Sequence, residues 1–152
     1  MKDIPKGLLA GLVATVVLSV LMVAKAMMGI MPELDIPKML AGMVGSPDMP
    51  AIGWLLHAVI GIVIYGVGIA VLDSKLPGNN HVGHGIMLGV IGWLLMMVIV
   101  MPMVGAGLFG MNMGIMAAVM TLMLHLIFGA VLGWVYGRSG VSQDVSISRA
   151  RA

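Results

Sequence analysis

Two histidines stand alone in long apolar stretches of the sequence. One is His57, in HAVIGIVIYG; the other is His125, in HLIFGAVLGWVYGR. In each, a glycine follows four residues later, Gly61 and Gly129, so on a helix the ring and the glycine share a face. A ring nitrogen can ligate iron or copper, and two histidines on facing helices are one way a bundle holds haem or a metal ion. The same ring can relay a proton, with Lys25 as a further ionisable group in apolar surroundings. The plainer role is structural: a neutral imidazole donating to a backbone carbonyl, to Thr121 or to Ser19 across a helix contact. Lys25 has a plain role too, because its long stem lets the ammonium reach water from near a helix end.

Methionine widens the choice. The chain has 18 Met and no Cys. Thioether sulfur suits Cu(I). Met101, Met103 and Met120, with His57 and His125, form the set that a copper path would use. Methionine is also a pliant apolar filler, and these residues are spread over the first, third and fourth apolar segments and the loops. His81 and His84 lie one helical turn apart after Asn79 and Asn80. With no third ligand nearby in sequence, they read as a polar helix start capped by Asn80. No paired core carboxylates, nucleophile elbow, HExxH or phosphate loop is present, so the sequence carries no enzyme signature.

The elements that position these residues follow from composition. Of 152 residues, 61% are hydrophobic and 9% charged. A soluble domain has about 45–50% apolar and about 25% charged residues. So short a chain cannot hide that much apolar surface from water, and the bilayer is its consistent solvent. The few cations are not clustered into a nucleic-acid footprint, which excludes that class of partner. Crossing a membrane takes about 20 apolar residues. Four segments qualify, at about 8–30, 51–72, 82–104 and 113–136. The predicted fold is all-α: a four-span transmembrane domain over 1–137 and a polar, loosely ordered cytoplasmic tail over 138–152. The start of the chain also has the layout of a signal peptide, with Ala24-Lys25-Ala26 as its cleavage site. The apolar run continues past that site, which favours an intact first span.

Lys2, Lys6, Lys75, Arg138, Arg149 and Arg151 fall on one side of a four-span chain, and Lys38 with three acids on the other. Positive charge marks the cytoplasmic face, so both termini are expected there. His57 lies 16 residues before Asp73 and His125 13 residues before Arg138. At 1.5 Å per residue both rings sit about 20–24 Å from that face, toward the outer half. The outer loop after Asp35 carries Ile36, Met39, Leu40 and Met43 on one helical face. That pattern, behind an Asp N-cap, predicts a short helix lying in the outer interface.

The two halves echo one another. Gly7 and Gly11 open the first span; Gly85 and Gly89 open the third. His57 and Gly61 in the second span answer His125, Gly129 and Gly133 in the fourth. The halves read as two related helical hairpins, a parallel repeat about an axis along the membrane normal. Small residues let helices approach closely in lipid, so these glycines mark packing faces, and the histidines share those faces. IGWLL also occurs twice, at 52–56 and 91–95, but in spans of opposite direction; we read that match as coincidence.

KGLLAG at 6–11, the MPELD loop and H-x-x-x-G in the second and last spans resemble a family of small bacterial inner-membrane proteins of unknown function. The resemblance covers about 6–137. It implies a four-helix fold in the bacterial inner membrane and brings no activity. Three functional expectations stand together. The chain is a non-enzymatic bundle component, assembling with itself or a larger membrane complex. Alternatively it binds haem or copper through His57 and His125. Alternatively it is a small transporter or channel.

Overall fold

A computed structural model describes residues 3–150, and side chains as far as Ser139. The described residues form helices and turns, with no strand among them. Four helices are long and apolar enough to cross a membrane: Ile4–Met27, Pro50–Lys75, His81–Met103 and Ile115–Ser139. They are called the first to fourth spans below. In the last, helical backbone continues to Ala150, through the tail for which the sequence predicts loose order.

Local chemistry sets the boundaries. Pro5 stands in the first turn, where its missing N–H costs nothing, so the first span begins four residues earlier than the apolar run suggests. It ends at Met27, because Gly29 and Met31 take positive φ (66° and 47°) and turn the chain. The helix after Asp35 is present at Ile36–Met43, and the Asp35 carboxylate accepts from the Lys38 N–H at 3.0 Å. Its Pro37 backbone rests against Gly53, where any side chain would collide. Asn80 caps the third span by accepting from the Val82 N–H at 3.0 Å.

Two spans are not α-helical throughout. The second widens to a π-helix at Ile60–Tyr65 and the third at Met96–Val100. In the third, Pro102 explains the change. Proline has no N–H to give the carbonyl four residues back and its ring crowds that carbonyl, so the preceding turn loosens before the helix stops at Met103.

The spans stand side by side in the order second, first, fourth, third. The first packs on the second and on the fourth, and the fourth packs along the third. Glycine sets the closeness. Gly7 backs onto the Gly66 carbonyl and Gly11 onto the backbone of Gly61 and Ile62. Gly85 meets Gly129 and Gly133, and Gly89 meets the His125 carbonyl. Added side chains at these positions would strike main chain. Hydroxyl and indole groups tie the same contacts. Thr15 fits against Gly61, and Trp93 Nε1 donates to the Ala118 carbonyl at 3.2 Å and to Thr121 Oγ1 at 3.1 Å. The second and third spans touch only in their half near the termini; beyond it they stand apart. Outward faces carry bare apolar residues such as Val20, Leu55, Val63 and Ile115. In water such a surface would drive association; in lipid it is solvated. The chain is a multi-pass helical membrane protein.

Candidate functional site

The gap between the second and third spans is a cavity of about 460 Å³. Its far wall is the fourth span, through Thr121, Leu124, His125 and Phe128. Leu18 and Met22 of the first span and Ile36, Met39 and Leu40 of the loop helix complete it. Both π-helical segments face it: Ile60, Gly61, Ile64 and Tyr65 on one side, Met96, Ile99 and Val100 on the other. A wider turn displaces side chains from the α-helical register, and such segments recur at functional sites.

His57 and His125 both line this cavity. His125 Nδ1 lies 2.8 Å from the Thr121 carbonyl. A carbonyl can only accept, so Nδ1 carries the proton and Nε2 keeps its lone pair. That is the backbone contact of the structural role, and it is also how a ligating histidine is oriented. The Thr121 hydroxyl bonds neither ring: it donates locally, with the Ala117 and Ala118 carbonyls at 2.8 and 3.0 Å, and accepts from Trp93 Nε1 at 3.1 Å. His57 packs edge-on against Trp54, with ring centroids 5.8 Å apart. Its Nε2 is buried and has no hydrogen-bond partner. A buried polar atom without a partner is costly and asks for an explanation. Tyr65, T-shaped on Phe128 at 4.9 Å, closes the cavity toward the termini, where its hydroxyl reaches Gly92.

The methionines of the copper set divide. Met101 is fully buried and lines the cavity. Met120 does not line it and packs instead against an apolar cluster of Leu34, Met97, Ala118 and Met101 itself. Met103 is 66% exposed, on the outward side of its helix. The structure thus brings His57, His125 and Met101 to one space and leaves Met103 and Met120 outside it.

Lys25 points the other way. Its Nζ donates to the Met31 and Leu34 carbonyls, each at 2.8 Å. It fastens the turn that leaves the first span, in which Met31 holds a left-handed φ unusual for a side-chain-bearing residue.

One constellation was missed in the sequence. Asp73 supplies the third candidate ligand that the sequence reading of His81 and His84 lacked. His81 Nδ1 lies 2.8 and 2.9 Å from the two Asp73 carboxylate oxygens, and His84 Nδ1 lies 2.8 Å from Oδ1. Asp73 ends the second span and the histidines begin the third, so only the turn through Pro77 and Gly78 joins them. Gly78, at φ 102°, allows that turn. The available signal was a carboxylate and an H-x-x-H pair flanking one tight connection.

No curated protein and no solved structure matches the chain. A family model described as a family of unknown function, DUF6789, matches residues 1–146. The chain belongs to that family.

Proposed function

We propose that this protein binds a lipid-soluble small molecule in the cleft between its second and third spans. The observation that carries the reading is the pair of histidines facing one apolar cavity with unshared ring nitrogens: buried Nε2 of His57, and Nε2 of His125 behind its carbonyl-anchored Nδ1. A volume near 460 Å³ falls within the range of small-molecule sites, about 300–1,000 Å³. The cleft opens sideways, where the two spans part, so a largely hydrocarbon ligand could enter from lipid without crossing water. Its polar part would be a hydrogen-bond donor or a Lewis-acidic centre such as haem iron, the two kinds of group that imidazole lone pairs accept.

Two other readings gain less. The seven glycines that suggested assembly with a partner are occupied by contacts within the chain, so they carry no argument for one. An ion path gains little from a cavity whose polar lining is limited to His57, His125, Thr121 and Tyr65, with Lys25 engaged elsewhere. The setting is a bacterial inner membrane with both termini cytoplasmic, two related hairpins and the loop helix at the outer interface. Equivalent glycine contacts within each hairpin, Gly7–Gly66 beside Gly85–Gly133, support the repeat.

The test is to purify the protein in mild detergent, record its absorption spectrum, and identify organic extracts by mass spectrometry. A single extracted species is expected, retained by Ser139→Ala and lost from His57→Ala and His125→Ala. A Soret band would identify haem. Bulk lipid alone, identical in all variants, would sink the proposal.

A further inference from the structure

We infer that Asp73, His81 and His84 form a binding site for a divalent transition-metal ion, zinc or a close neighbour, at the termini side of the bundle. The site is separate from the histidine-lined cleft and does not depend on what occupies it.

The geometry is specific. Both imidazoles turn the same ring atom, Nδ1, toward one carboxylate oxygen at 2.8 Å, and donor atoms of the three residues all lie within 4.8 Å of one another. In a tetrahedral zinc site with bonds of about 2.0–2.1 Å, ligand atoms stand about 3.3 Å apart. Each imidazole–carboxylate pair at 2.8 Å need widen by only about 0.5 Å to admit an ion. Two imidazoles and one carboxylate are a borderline donor set that suits zinc, nickel or copper(II) and not calcium or magnesium. The negative carboxylate offsets part of the ion's charge.

Burial is the second observation. His84 is 4% exposed, and its Nε2 is buried with no hydrogen-bond partner. The hydrogen-bonding capacity of this ring is thus met only at Nδ1, the atom turned to Asp73. An ion on Nδ1 moves the imidazole proton to Nε2. At His84 that change breaks no existing bond of Nε2. At His81 the side chain is 49% exposed, so a protonated Nε2 can face water. The same exposure leaves the ion's fourth position open to water, the arrangement of a three-ligand site.

The site has a structural consequence. The hydrogen bonds that Asp73 accepts from His81 and His84 are the only ones between side chains of the second and third spans among the described residues. Those spans form the two sides of the cleft. An ion would replace these hydrogen bonds with coordinate bonds and clasp the spans where they meet.

The test uses full-length protein in mild detergent, stripped with chelator and then dialysed against Zn²⁺. One zinc per chain is expected by elemental analysis. Asp73→Asn and His81→Gln should each weaken binding at least about tenfold, a loss on the scale of changes around known metal sites. The double variant His57→Ala with His125→Ala should retain the ion, which separates this site from the cleft. X-ray absorption on the unaltered protein guards against misfolded variants: it should show two imidazoles and one or two oxygen ligands near 2.0 Å. Zinc held equally by Asp73→Asn and His81→Gln, zinc lost only with His57 and His125, or no zinc above detergent background would each overturn the site.

Discussion

At Gly85 a single methyl group would collide with the main chain of the neighbouring helix, at Gly129 and Gly133. Backbone cannot move aside as a side chain can, so the two spans must separate. Overpacking a core costs about 1–3 kcal/mol, and a clash with main chain belongs at the upper end. Gly85→Ala should therefore lower the unfolding midpoint in detergent by several degrees or abolish folding. Gly68→Ala is the matched control. It sits in the same kind of helix, but a methyl group there meets nothing within 4 Å. Losing a mid-helix glycine should leave stability unchanged or raise it by about 0.5–1 kcal/mol. Equal losses in both variants would show that helix propensity, and not close packing, sets the demand for glycine.

Among the elements, the connection leaving the first span has the clearest energetics. Its turn includes Met31 at φ 47°, and Lys25 bonds both Met31 and Leu34 from the last turn of the helix. A non-glycine residue in that region stores about 1–3 kcal/mol, which neighbouring contacts must offset. Lys25→Met keeps the stem and removes the donors. It should cost about 1–2 kcal/mol, since the ammonium is only half-buried, and should increase proteolysis between residues 28 and 35. If Lys25 served transport instead, the variant would leave that segment protected. The π-helical segments belong to this scale too. Each rotates the rest of its span relative to an α-helix and aims side chains into the cleft. Hydrophobic periodicity does not reveal them: Pro102 marks the one in the third span, and no residue of the sequence marks the one in the second.

For the whole molecule, the open order of second, first, fourth, third leaves one edge without helix contact in the half away from the termini. That edge is where the cleft lies, and the Asp73 cluster sits where the edge closes. The proposed orientation can be checked directly, because the chain has no cysteine to interfere. In intact cells a membrane-impermeant maleimide should label Ser46→Cys, in the outer loop. It should label Ser139→Cys, at the end of the fourth span, only after the membrane is opened. The reverse pattern would invert the topology and put the Asp73 cluster outside.

Lipid as the solvent, the number of spans and the helical faces along which the glycines recur were legible in the sequence. Hydropathy, chain length and four-residue spacing are local quantities, and in lipid they leave the backbone little choice but helix. Asp35 and Asn80 as caps were legible for the same reason: a cap bonds only its own first turn. That His57 and His125 share one helical face with small residues was legible as well. Only the tertiary structure decided which spans touch. It put the two histidines on one cavity, sent Met103 outward, turned Lys25 onto the loop, and brought Asp73 to His81 and His84. Each of those outcomes depends on the order and register of whole helices. In a membrane these are set by main-chain contacts and hydrogen bonds between elements distant in sequence, because apolar surface alone gives helices little preference for one neighbour over another.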